Sequence, residues 1–183
     1  MTARSDPGGG GRQTATRTRS ADREQIVLRP LGNPLPLGFI GLAVATSTLA
    51  CLDLGWVPSP QQHEVALVLV AFAFPLQGLA TVLCFLARDT SSGAGIGVQA
   101  TVWLTLGLLL RTTPPGTRSA AAAVFLLAAA GALLPSCVSA ALGKLVPAAV
   151  MLASALRFVL TGLYERFGGA IWQHAAGWEG LVL

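Results

Sequence analysis

The sequence predicts an all-α fold, a polytopic membrane helix bundle with five full transmembrane helices and the start of a sixth. Three observations carry this. Of 183 residues, 53% are apolar and only 11% charged, against about a quarter charged in soluble domains. Six of the twelve Lys and Arg (Arg4, Arg12, Arg17, Arg19, Arg23 and Arg29) lie ahead of any long apolar run. From Leu35 onward, apolar runs alternate with short loops rich in Pro, Gly and polar residues.

Residues 1–30 contain Gly8 to Gly11 in a row, many Ser and Thr, and few large apolar side chains. Such a segment buries too little surface to offset the entropy of ordering it, so a disordered basic tail is expected, followed by a transmembrane domain over residues 31–183. The tail is no secretory signal, because its basic region is not closely followed by an apolar stretch. Its arginines are diluted by Asp6, Asp22 and Glu24 and lack interleaved aromatics, which argues against nucleic-acid binding.

A span needs about 20 apolar residues. The first run, residues 35–57, is interrupted only by Asp53. Pro58, Pro60 and the polar residues to Glu64 form a loop before the second span, residues 65–86. A polar turn from Arg88 to Gly95 precedes a short third span, residues 96–110. Pro114 and Pro115 break the chain, since each removes a backbone donor and restricts its predecessor. The fourth span covers residues 120–142, with Pro135 inside as a kink, and the fifth covers residues 146–164. Glu165 to His174 reads as a loop or re-entrant turn, and residues 175–183 as a partial sixth span.

With the N-terminus in the cytoplasm, the tail, Arg88 and Lys144 face inward, and Arg111, Arg118 and Arg166 face outward. That bias satisfies the positive-inside rule and predicts a multi-pass protein of the cell membrane. Cys51, Cys84 and Cys137 fall within spans and read as packing residues. His63 and His174 lie in loops without Cys-x-x-Cys spacing, so no metal site is predicted. The chain carries neither a Gly-x-Ser-x-Gly turn nor a Gly-x-x-x-x-Gly-Lys-Ser/Thr loop. Neither enzymatic chemistry, ATP-driven pumping nor a cofactor is expected.

The most informative local pattern is Asn33-Pro34-Leu35-Pro36-Leu37-Gly38, at the entry to the first span. Two prolines one residue apart allow an unwound entry whose amide groups face an anion, as half-helices do in transporters. They equally allow an ordinary proline-started helix. Polar residues within the spans are the next candidates, because each is costly in hydrocarbon and turns toward protein or water. These are Thr46, Ser47, Thr48, Gln77, Thr81, Gln99, Thr101 and Thr105, which line a hydrophilic path or bond neighbouring helices. Arg157, in the middle of the fifth span, costs about 2.5–3.5 kcal/mol there on insertion scales. It calls for an anionic substrate, a partner such as Asp53 or Glu165, or an escape to the interface.

The Asn33 to Gly38 motif resembles the signature that opens the first helix of the acetate uptake transporters, the succinate and acetate permease family. Gly41, Thr46, Gln77, Asp89-Thr90, Trp103 and Ala176-Gly177-Trp178-Glu179-Gly180-Leu181 match in order. The resemblance covers residues 31–183. It implies a six-helix, channel-like bundle, assembled as a homo-oligomer, a hexamer, that moves acetate and related mono- or dicarboxylates with protons. It assigns Asn33, Pro34, Pro36, Gly38, Leu42, Thr46, Gln77, Gln99 and Trp103 to the substrate path. Leu42 and Gln99 stand where the family narrows its pore with an aromatic and a tyrosine, Val102 replaces the phenylalanine before Trp103, and Cys84 replaces an acid. The short sixth segment predicts a gap in the wall and reduced transport. The alternative expectation is a degenerate, non-transporting scaffold or accessory protein.

Overall fold

A computed structural model describes residues 32–183. The basic tail, predicted to be disordered and cytoplasmic, lies outside the described residues.

Six helical segments follow one another, with no strand among the described residues. Helix α1 spans Leu35–Asp53. Helix α2 spans Ser59–Leu86 and contains a π-helical segment, Leu69–Ala73. Helices α3, α4, α5 and α6 span Thr90–Thr112, Ala120–Ala141, Leu145–Phe167 and Ala170–Val182. The first five are long and apolar enough to cross a membrane. Ile40, Leu79, Val124, Val138 and Leu152 stand at least half exposed on their outer faces, an arrangement suited to lipid and unfavourable in water.

The helices form a closed ring. Each packs against its neighbours in chain order, and α6 packs against both α5 and α1. The α4–α5 pair is the most extensive contact. Leu42, Leu49, Trp103, Leu126, Leu133 and Phe158 fill the interior.

Local chemistry explains the element boundaries and corrects several expectations. Two prolines do not unwind the first span: α1 starts at Leu35 with Pro36 in its first turn. Donors in that turn have no intrahelical acceptor, so a missing N–H there costs nothing. The predicted polar turn from Arg88 to Gly95 is shorter than expected, because Asp89 caps α3 by accepting from the Ser92 amide at 3.4 Å. That cap lets Thr90, Ser91 and Ser92 enter the helix, which makes the third crossing 23 residues long. The predicted loop from Glu165 to His174 is almost entirely helical. Only Gly168 and Gly169 interrupt it, at φ of 71° and 93°, a backbone region closed to most side chains.

The π segment in α2 has an identifiable cause. Pro75 has no amide hydrogen, and its ring would clash with the carbonyl four residues earlier. One widened turn before it absorbs the conflict: the Phe74 amide donates to the Leu69 carbonyl, five residues back. Gln62 anchors the start of this helix, its Nε2 donating to the carbonyls of Leu110 at 2.9 Å and Thr113 at 2.8 Å. At the opposite end of the ring, Lys144 pairs with Asp89 and joins the α2–α3 and α4–α5 turns. Burial raises the Asp89 pKa, but hydrogen bonds from Lys144 and Ser92 together outweigh it and hold the pKa below its ordinary value.

Candidate functional site: polar groups inside the ring

Two sets of polar side chains cross the interior. The first begins at Gly38 on α1. A Cβ placed there would lie 2.9 Å from the Ile96 side chain and 3.4 Å from Ala80. Glycine therefore lets α1 approach α2 and α3 closely enough for a side chain to reach its backbone. Gln77 Nε2 donates to the Gly38 carbonyl at 3.1 Å and to Gln99 Oε1 at 3.2 Å. Gln99 Nε2 donates to Ser154 Oγ at 2.9 Å, and that hydroxyl donates to the Val150 carbonyl at 2.9 Å. One continuous ladder thus links α1, α2, α3 and α5.

All three side chains of the ladder are almost completely inaccessible to solvent. Satisfying such groups from neighbouring helices is the low-energy solution in a membrane interior. Ser154 was not among the sequence-derived candidates. It is a small hydroxyl among alanines, and the available signal was its spacing of three from Arg157, which puts both on one helical face.

Two groups in this region have no hydrogen-bond partner among the described residues. Gln77 uses both amide hydrogens in the ladder and leaves Oε1 unpaired, and the buried Trp103 Nε1 has no acceptor. Trp103 lies four residues after Gln99, one turn further along the same face of α3. It packs edge-on against Phe158, with ring centroids 5.7 Å apart.

The remaining predicted path residues divide. Thr46 is buried, but its hydroxyl donates to the Leu42 carbonyl of its own helix at 3.0 Å. Leu42 is buried in the apolar cluster with Trp103. Pro34 is buried, whereas Asn33 and Pro36 are exposed at the mouth. Asn33 Oδ1 accepts from the Leu35 amide at 3.1 Å, which shapes the entry turn. Thr101 faces outward and satisfies its hydroxyl on its own helix, and so does Thr105, so neither joins the hydrophilic path expected of them.

The second set crosses from α5 to α1. Arg157, with 1% of its side chain accessible, donates through Nη2 to Asp53 Oδ2 at 2.6 Å. Asp53 is the partner that this buried cation takes up among the described residues. Asp53 itself is buried rather than hydrated at a span end. Gly180 of α6 packs directly against the guanidinium, where a Cβ would lie 2.9 Å from Arg157 Cζ and 3.2 Å from the Thr46 carbonyl. The Ala176 to Leu181 stretch is therefore part of the wall between α1 and α5. The predicted gap is partly closed over the length of α6.

Five membrane-crossing helices and a sixth, closed into a ring around buried polar groups, define a polytopic α-helical membrane protein. Among solved structures, the fold is similar to that of the bacterial acetate channel SatP, with a TM-score of 0.72. The match covers 83% of this chain and 85% of that chain at 23% sequence identity. No protein-family model matches the chain, and no curated protein does.

Proposed function

We propose that this protein moves acetate or related small mono- and dicarboxylates, together with protons, through the interior of its helix ring. The observation that carries the proposal is the Gly38–Gln77–Gln99–Ser154 ladder, found inside a fold that a bacterial acetate channel shares. A carboxylate leaving water needs fixed donors, and a carboxylic acid needs one donor and one acceptor. Trp103 Nε1–H and Gln77 Oε1 are one unpaired donor and one unpaired acceptor. In this reading Gln77 and Gln99 orient the substrate, Trp103 donates to it, and Leu42, Thr46 and Phe158 form the apolar and small walls around it.

The Asn33 to Gly38 segment sets the mouth. Asn33 shapes the first turn, and Gly38 supplies both the close helix approach and the carbonyl that fixes Gln77. Replacement of the family's narrowing aromatics by Leu42 and Gln99 exchanges aromatic walls for an aliphatic one and an amide, which favours substrates able to accept a hydrogen bond. The reading includes insertion in the cell membrane with the N-terminus in the cytoplasm, in line with the Lys and Arg bias. It also includes a homo-oligomer, the hexamer implied by the resemblance.

The test is uptake of labelled acetate by cells lacking their own acetate carriers, expressing this chain or its Asn33→Ala variant at acidic and neutral pH. Uptake that rises in acid and falls in the variant supports a proton-linked path through the motif. Background uptake by a correctly inserted chain supports the scaffold alternative.

A further inference from the structure

At the end of α1, Asp53 pairs with Arg157 of α5, and α6 packs Gly180 against the same guanidinium. Arg157 uses Nη2 on Asp53, while its buried Nε and Nη1 have no acceptor among the described residues. Gly180 packs against this guanidinium, with a Cβ position 2.9 Å from both Cζ and Nη1. The next residue back along α6 is Glu179. Its Oε2 is buried and receives no hydrogen bond, although the residue as a whole is only half-buried.

Glu179 also borders a lateral groove of about 560 Å³ between α5 and α6, whose other walls include Ala149, Val150, Ala153 and Trp178. Glu179 thus lies next in the chain to the residue packed on the buried cation and itself lines an open cleft. The depth is unmistakable, because Gly180 lies against the Thr46 carbonyl in the middle of α1.

Charge arithmetic sharpens the point. The charged groups that face this site are Asp53 on α1 and Arg157 on α5, with Glu165 of α5 adding its field at Asp53. If Asp53, Arg157 and Glu179 are all ionised, the cluster carries one uncompensated negative charge within the membrane, an arrangement that hydrocarbon strongly disfavours. One proton on Glu179 removes it. An ionised Glu179 keeps that charge but can accept hydrogen bonds from the two free donors of Arg157.

We propose that Glu179 is a proton-binding site that exchanges between a protonated carboxyl facing the groove and a carboxylate bonded to the free donors of Arg157. The step is simple acid–base exchange: the carboxylate takes a proton from water and returns it. Its coupling to carboxylate movement rests on the transport reading above, and would make Glu179 the residue that carries the proton accompanying the substrate.

Infrared spectroscopy of the purified chain in lipid, titrated with acid and base, tests the site itself. A protonated-carboxyl C=O band is expected that disappears as pH rises, is absent in Glu179→Gln, and survives in Glu179→Asp and Asp53→Asn. A band unchanged in Glu179→Gln overturns the site. Reconstituted vesicles test the coupling: in Glu179→Gln, exchange of labelled for unlabelled acetate continues while stimulation by an inward proton gradient is lost. Gradient stimulation equal to that of the native chain overturns the coupling. A native chain that moves no acetate overturns both the transport reading and the coupling, and the carboxyl band then decides the proton site alone.

Discussion

Arg157 on α5 and Asp53 on α1 form an ion pair of 2.6 Å across the interior of the helix ring. Their side chains are 1% and 11% accessible, so neither charge is substantially hydrated. Removing one member of a buried pair leaves the other uncompensated, which typically costs about 3–5 kcal/mol.

Asp53→Ala is therefore expected to lower the thermal unfolding midpoint of the detergent-solubilised protein sharply. The double variant Asp53→Leu/Arg157→Met recovers much of that loss, because an apolar pair leaves no charge stranded. Midpoints measured for the single and double variants check this; additive losses would contradict it.

The ladder makes a smaller and graded contribution. Ser154→Ala removes the acceptor of the Gln99 amide and is expected to cost about 1 kcal/mol, in the range of interhelical hydrogen bonds within membranes. Gln77→Leu removes two bonds at once and leaves Gln99 Oε1 without a donor, so its cost is larger, about 2 kcal/mol. Denaturation in mixed detergent ranks the two variants.

Gly180→Val places a side chain where a Cβ already meets Arg157 and the Thr46 carbonyl. The guanidinium cannot retreat without leaving Asp53, so α1 and α6 must separate. A loss of about 1–3 kcal/mol is expected, as for overpacked cores. Gly78→Ala is the control, because nothing lies within 4 Å of a Cβ there, and its effect is small.

At the Lys144–Asp89 pair, pH acts with a definite sign. The Asp89 pKa is lowered from its ordinary 3.8 in the folded protein. Its contribution is complete above that ordinary value and is lost as pH falls through the lower, folded one. Because Lys144 is about half exposed (47%), the contribution is below about 1 kcal/mol. Unfolding midpoints of native protein and Lys144→Ala, compared from about pH 6 to about pH 3, converge as Asp89 protonates.

The ring of helices was legible because lipid imposes a simple rule of length and apolarity, and all five long spans follow it. Gln77 and Gln99 were legible for the same reason, since an amide in an apolar run must find a partner. Boundaries were harder to read: Thr90, Ser91 and Ser92 look like a turn in sequence, yet a capping carboxylate draws them into α3. Ser154 and the pairing of Arg157 with Asp53, 104 residues apart in the chain, depend on which helices become neighbours. Span lengths do not specify that. Gly180 belongs to the same group, since its role emerges only when the Arg157 guanidinium lies against it.

The central claim is that small carboxylates pass through this ring by way of Gln77 and Gln99. The most direct measurement is influx of labelled acetate into lipid vesicles containing the purified chain, at neutral pH, where little acid crosses the bilayer unaided. Influx well above that of protein-free vesicles is predicted, falling at least about tenfold in Gln99→Leu, a barrier change of about 1.4 kcal/mol. Influx equal to that of protein-free vesicles, from a chain shown to be folded, would contradict the claim.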